Sequence, residues 1–156
     1  MKQIKNTFFA LFISPEAVVA FLVFLWFSLN PTSLGSLGAH LKSDKDVWKY
    51  LPSLVLIFAG TAFRFSFKIR APLDSSFNRI LYEWPLYPLL VARVMVGLIF
   101  ATCSGALGLA TWIFGQHLDD LTVGAMFFLA AGVSATTALT MMLAYQKLRE
   151  LIERYG

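Results

Sequence analysis

Four long apolar stretches, separated by short polar segments, constrain the fold of this chain more than any other feature. They cover residues 7–29, 50–67, 86–114 and 121–145. A helix needs about 20 predominantly apolar residues to cross the hydrocarbon core of a bilayer, and each stretch comes close to that length. The sequence therefore predicts an all-α integral membrane four-helix bundle, with residues 1–156 forming a single transmembrane domain.

The composition argues against a water-soluble domain. Hydrophobic residues make up 58% of the chain and charged residues only 14%, and the charges cluster between the apolar stretches. The formal net charge is +4. Basic residues beside apolar stretches reflect membrane topology and attraction to anionic lipid, so the bilayer is the expected partner and nucleic acid is not.

Local signals define the ends of the predicted helices. Asp46 is the expected N-cap of the second span, and Asp119 or Asp120 the expected N-cap of the fourth. Residues 75–84 carry apolar side chains at helical spacing and predict an interfacial helix leading into the third span. Residues 146–156 are polar and amphipathic and predict a helical cytoplasmic tail.

The distribution of Lys and Arg predicts the orientation, because cytoplasmic segments retain the excess of these residues. With both termini inside, the outer loops hold three of them, Lys42, Lys45 and Lys49. The inner segments hold nine, namely Lys2, Lys5, Arg64, Lys68, Arg70, Arg79, Lys147, Arg149 and Arg154. We therefore expect a multi-pass protein of the cell inner membrane with cytoplasmic N- and C-termini.

Small residues define a helix-packing face on the third span and continue on the fourth. Close contact between helices in lipid depends on small side chains that let backbones approach. One interpretation is tight packing within a single bundle. The other is that the Thr and Ser residues of the fourth span line a wet pathway in a homo-oligomer, since four helices are too few to enclose a wide pore. The packing residues are Gly97, Ala101, Ser104, Gly108 and Gly132.

Two ionisable residues, Glu16 and Arg93, are expected to lie inside the bilayer. A charge inside a bilayer costs about 2.5–3.5 kcal/mol on insertion scales, so such residues usually have partners or functions. A first span that began at Pro15 would have only 15 residues before Asn30, too few to cross the bilayer. The span is therefore expected to begin near Thr7, with Pro15 as a kink and Glu16 buried.

We expect Glu16 and Arg93 to meet on the inner side of the bundle. Thr136 or Thr140 of the fourth span lies at a similar depth and could accept a hydrogen bond from the guanidinium. The alternative is that Arg93 reaches the headgroups and that Glu16 sits at the interface, with residues 7–13 lying on the membrane surface.

No enzyme, metal site or cofactor is expected. The two histidines, His40 and His117, lie in predicted outer loops, and the single cysteine, Cys103, lies inside a span. These residues provide neither metal-ligand spacing nor a set of nucleophile, base and orienting group.

Two functions remain open. The chain is either a channel-like or membrane-perturbing effector that acts as an oligomer, or a non-conducting anchor or sensor subunit that docks a cytoplasmic protein. In both cases the basic inner loop and the tail form the cytoplasmic surface. Its expected docking residues are Arg64, Lys68, Arg70, Arg79, Lys147 and Arg149.

In layout the chain resembles small four-span bacterial inner-membrane proteins of phage exclusion and defence, such as RexB and the membrane subunit of the Kiwa system. The shared features are the size, the cytoplasmic termini, the basic inner loop at residues 65–70 and the polar tail at residues 145–150. The resemblance covers the whole chain and implies membrane depolarisation or sensing of infection, and no functional residue is carried over from it.

Overall fold

A computed structural model describes residues 14–70 and 82–155 of the chain. These residues form helices throughout, as the sequence predicts, joined by short turns. Residues 7–13, Arg79 and most of the predicted interfacial helix at 75–84 lie outside the described residues. The α-helices are α1 (Pro15–Leu29), α2 (Pro31–Ser43), α3 (Lys45–Arg70), α4 (Tyr87–Phe114) and α5 (Asp120–Tyr155), with a 3-10 helix at Gly115–His117 between α4 and α5.

Three of these helices, α3, α4 and α5, are each long and apolar enough to cross a membrane. The predicted spans 50–67 and 121–145 lie within α3 and α5, and the span 86–114 coincides with α4 to within one residue. Among the described residues, a fourth crossing requires that α1 and α2, which meet at an angle of 102°, count as one broken span. The protein therefore has the helices of a multi-pass membrane protein.

The start of α1 differs from the prediction. Ser14 caps the helix by accepting a hydrogen bond from the Ala17 backbone N–H at 3.1 Å, and Pro15 is the first helical residue instead of a kink. Proline suits this position because its ring fixes a helical φ and its missing N–H would be unbonded in any case. The helix has 15 residues, about 22 Å, which is shorter than the hydrocarbon core of about 30 Å.

Residues 31–49 were expected to connect the first two spans on the outer side of the membrane, and the structure shows that this connection is helical. They form α2 and the first turn of α3. The N-cap of α3 is Asp44 and not Asp46, because the Asp44 carboxylate accepts from the backbone N–H groups of Asp46 and Val47 at 3.0 and 3.1 Å. The other predicted cap is found, since Asp119 accepts from the Thr122 backbone N–H at 2.9 Å.

Helix α5 is the central element and contacts each of the other four helices. In the middle of the bundle it meets α3 and α4 through small side chains, including buried Ala59, Ala101 and Ala138. Its C-terminal part packs back onto α3 and α4 instead of projecting freely. We call the end of the bundle at the C-terminal ends of α3 and α5 the basic end, because Lys and Arg side chains cluster there. The apolar core of this end consists of Ile69, Val94, Met141, Leu148 and Ile152.

Candidate functional site

The most unusual site in the bundle is an ion pair between Glu16 and Arg93. The Arg93 Nη2 donates to both carboxylate oxygens of Glu16, at 2.7 and 2.8 Å. The Glu16 side chain is fully buried, whereas 28% of the Arg93 side chain remains exposed. The Thr140 hydroxyl lies 3.2 Å from Oε1 of the same carboxylate. Two side chains, from α4 and α5, therefore converge on one buried carboxylate of α1.

Each member of the site is placed by a simple feature of its helix. Glu16 lies in the first turn of α1, where the positive end of the helix dipole favours a carboxylate. Arg93 lies six residues after Tyr87, the first residue of α4, or about 9 Å along the helix axis. Thr140 lies on α5, between these two helices. The start of α1 is thus held at the level of Arg93, six residues inside α4, and not at the level of the first residue of α4.

The site differs in detail from the arrangement expected from the sequence. Thr140 was expected to accept from the guanidinium, but its hydroxyl faces the carboxylate and the Thr137 carbonyl oxygen, 3.0 Å away. Thr136 takes no part in the hydrogen bonds of the pair. Arg93 Nη1 is buried and has no hydrogen-bond partner among the described residues. The structure thus brings Glu16, Arg93 and Thr140 together and leaves one guanidinium nitrogen unbonded.

A groove separates α1 from α4 beside the ion pair. Its volume is about 180 Å³, and it is open on one side and almost wholly apolar. Helix α1 is only lightly buried, since Glu16 and Val23 are its two buried residues. Toward the other end of α1, Trp26 contacts the Phe128 ring of α5 at a centroid distance of 4.9 Å. The groove is lined by Ala20, Phe100, Cys103, Ser104, Leu107, Leu129 and Val133.

The predicted packing face of α4 is buried along its whole length, and its members contact two different helices. A Cβ added at Gly97 would collide with the Met141 side chain of α5, and one added at Gly108 would come within 2.9 Å of Val55 on α3. Ala101 and Ser104 are buried between them. Gly132 of α5 plays the same part toward α1, where an added Cβ would lie 3.1 Å from Val19. These contacts correspond to tight packing within one bundle.

The closest helix contact was not predicted from the sequence. Helix α2 crosses the first turns of α5, and a Cβ at Gly38 or Gly124 would collide with the backbone of the opposite helix. Leu34 is fully buried in this contact. Lys42 adds an ion pair with Asp120 at 2.8 Å and donates to the Leu118 carbonyl oxygen at 2.9 Å. The only sequence signal was the glycine in each helix, which is too common to identify partners.

The predicted docking residues that the structure describes lie at the basic end. Lys68 Nζ lies 5.5 Å from the centre of the Tyr145 ring, within the range of a cation–π contact. Lys147 and Arg149 form ion pairs with Glu150 and Glu153 at 2.9 and 2.6 Å. The exposed basic side chains of this surface are Arg64, Lys68, Arg70, Lys147 and Arg149.

The chain matches no family model, no curated protein and no solved structure. Among residues 14–70 and 82–155, no three His, Cys, Asp or Glu side chains are close enough to share a metal ion. The candidate site is thus described by its geometry, an ion pair between α1 and α4 with a fully buried carboxylate.

Proposed function

We propose that this protein is a channel-like effector of the bacterial inner membrane, with both termini in the cytoplasm, and that it changes membrane permeability when α1 moves away from α4. The observation that carries the proposal is the ion pair between Glu16 and Arg93. A charged pair inside a membrane segment is costly and therefore usually serves a function. Here the pair fastens the least buried helix to the rest of the bundle.

The two ends of α1 are fixed differently, which makes α1 suitable as a gate. At one end the chain turns by 102° into α2, and α2 is held against α5 by direct backbone contact at Gly38 and Gly124. At the other end the polar attachment consists of the Glu16–Arg93 pair and the hydrogen bond from Thr140 to the same carboxylate. Loss of the pair would leave α1 free to pivot about Asn30, and the groove beside Cys103 would widen.

A conducting state also requires several copies, as the sequence already suggests. Helix α5 occupies the centre of the bundle, and its buried hydroxyls at Ser134 and Thr137 donate to carbonyl oxygens of the same helix. These groups are satisfied without water. Permeation therefore takes place between copies, along surfaces that movement of α1 uncovers.

The test is ion flux through liposomes that contain the purified protein. Arg93→Met breaks the pair, and we expect it to raise the flux at least tenfold over the wild type. Glu16→Gln should raise it as well, and the double variant should add little to either single change because both act on one contact. Arg64→Met is the matched control, since Arg64 is an exposed arginine of α3.

The proposal is wrong if Arg93→Met and Arg64→Met give the same flux as the wild type while all three proteins insert and remain monodisperse. Helical content from circular dichroism and size-exclusion profiles in detergent establish insertion and folding. A flux increase in Arg64→Met equal to that in Arg93→Met would also contradict a specific role for the pair.

We further propose bacterial defence against phage as the biological setting, with a trigger on the cytoplasmic side. The support is the layout shared with small phage-exclusion proteins. Cells that express the protein should lose membrane potential after phage infection, as measured with a potential-sensitive dye, and Arg93→Met cells should lose it without infection. If expression of the protein changes neither the membrane potential after infection nor the number of plaques, a role in phage defence is excluded.

A second candidate function is a non-conducting subunit that docks a cytoplasmic protein. It is favoured by the exposed charged surface at the basic end, where Arg64, Lys68 and Arg70 lie near the α5 extension. Pull-down from native membranes should then recover one protein in constant proportion, and exchange of Lys147 and Arg149 for Gln should abolish its recovery. Recovery of the chain alone would exclude this function.

A further inference from the structure

We propose that a cavity at the end of the bundle opposite the basic end binds the headgroup of an anionic phospholipid. The cavity lies between the start of α3 and the end of α4 and has a volume of about 470 Å³. It is wide open at the surface. Its lining combines aromatic, basic and aliphatic side chains, namely Lys45, Trp48, Lys49, Trp112 and Ile113.

The arrangement of these side chains on α3 favours an anionic ligand. Lys45 and Lys49 are one helical turn apart and therefore lie on the same face of α3. Both are exposed, and neither forms an ion pair with a carboxylate among the described residues. Lys42 differs, because its ammonium group is held by Asp120. Lys49 Nζ lies 5.4 Å from the centre of the Tyr50 ring, a contact that leaves its positive charge without a carboxylate. Two ammonium groups at this cavity can thus meet a phosphodiester.

No carboxylate is among the residues that line the cavity. Asp44 is engaged in capping α3 through the backbone N–H groups of Asp46 and Val47. Asp46 is exposed and is not one of the residues that line the cavity. The charge at the lining itself is therefore positive.

The aromatic residues place the cavity at the membrane interface. Tryptophan is enriched at this level because its ring is apolar and its N–H is polar. Trp48 is held in position by packing over Gly115, where an added Cβ would lie 2.5 Å from the ring. Ile113 is exposed and lies on α4, beside Trp112. The lysines would hold the phosphate of a phospholipid, and Ile113 would contact the first carbons of its acyl chains.

The experiment is native mass spectrometry of the full-length protein extracted from nanodiscs of equal parts phosphatidylglycerol and phosphatidylcholine. The wild type should retain phosphatidylglycerol in preference to phosphatidylcholine. The double variant K45Q/K49Q should lower that preference about thirtyfold, since each of the two lysines near a membrane surface contributes about 1 kcal/mol toward anionic lipid. K147Q/R149Q removes the same charge at the basic end and should keep the preference.

Two further measurements distinguish a lipid site from a site for a soluble phosphate. Added sn-glycerol 3-phosphate at millimolar concentration should not displace the lipid, and displacement would show that the site takes a soluble phosphate instead. Trp112→Ala should weaken retention of phosphatidylglycerol without a loss of thermal stability. Equal loss of preference in K45Q/K49Q and K147Q/R149Q, or no preference in the wild type, would overturn the proposal.

Discussion

At the scale of single residues, Glu16 is the one Asp, Glu, Lys or Arg residue that is buried among residues 14–70 and 82–155. It is fully buried, and its two oxygens accept from one nitrogen of Arg93 while Thr140 lies beside Oε1. A buried pair gains little over apolar packing, but removal of one partner leaves an uncompensated charge. This asymmetry suits the proposed gate, because loss of either partner leaves the other charge uncompensated and so disfavours the closed position of α1.

Asp119 provides a residue-scale prediction on pH dependence. Hydrogen bonds from the Thr122 side chain and backbone lower the pKa of Asp119 below its ordinary value of 3.8. A carboxyl with a lowered pKa in the folded protein stabilises the fold above its unfolded pKa, and the stabilisation is lost as the pH falls through the folded value. The melting temperature in detergent should therefore decrease below about pH 4.

Asp119→Asn is the matched variant for this prediction, since Asn also caps helices but does not titrate in this range. It should keep most of the stability at pH 7 and lose part of the acid dependence. An acid transition that is identical in the two proteins would show that other carboxylates cause it.

The sequence could predict the ion pair only in part. A charge in an apolar stretch is informative, because lipid offers it no water, and that reasoning selected Glu16, Arg93 and Thr140. It could not give the direction of the Thr140 hydrogen bond or exclude Thr136. Those details depend on the rotation of α5 about its axis, which small residues on two faces leave undetermined.

At the scale of helices, the contrast between α1 and α2 is the main finding. Helix α1 is strongly apolar and lightly buried, whereas α2 is much less apolar and lies in backbone contact with α5. Hydropathy alone therefore identified α1 as a span and assigned α2 to a loop. The predicted start of the first span near Thr7 lies outside the described residues, whereas the predicted kink at Pro15 is replaced by a helix start that Ser14 caps.

Glycine substitutions test the contact between α2 and α5. A methyl group at Gly38 would collide with the Asp120 carbonyl oxygen, which belongs to the backbone and cannot move aside, so Gly38→Ala should lower stability by about 1–3 kcal/mol. Gly35→Ala is the control, because no atom lies within 4 Å of a Cβ there. It should be neutral or stabilise the protein by up to about 1 kcal/mol through helix propensity.

The measurement is thermal or denaturant unfolding in the same detergent for both variants. Equal stability of Gly38→Ala and Gly35→Ala would mean that α2 is not docked on α5. In that case α2 could not hold one end of α1.

At the scale of the whole molecule, the charges divide between the two ends of the bundle. The basic end carries Arg64, Lys68 and Arg70 together with the α5 extension, and the opposite end carries the Lys45 cavity and the Asp120 ion pair. The sequence predicted this division from the spacing of charges between apolar stretches. It could not predict that the tail packs back onto α3 and α4, because Leu148 and Ile152 find their partners only in the folded bundle.

The two ends of the bundle also have different roles in the proposed mechanism. In our account the basic end receives the trigger, the Glu16–Arg93 pair converts it into movement of α1, and the α2–α5 contact provides the fixed end about which α1 turns. Each part can be disabled separately, by variants at Lys147, Arg93 or Gly38.

The most direct test of α1 as a gate is to fasten it covalently to α4. Ala20 and Cys103 line the same groove from opposite sides, so Ala20→Cys allows a short reducible thiol-specific crosslinker to join α1 to the native cysteine. In the Arg93→Met background, liposome ion flux should fall to the wild-type level after crosslinking and recover after reduction. The same treatment of a protein that also carries Cys103→Ser should leave the flux high. Flux that stays high in the crosslinked protein would contradict the account.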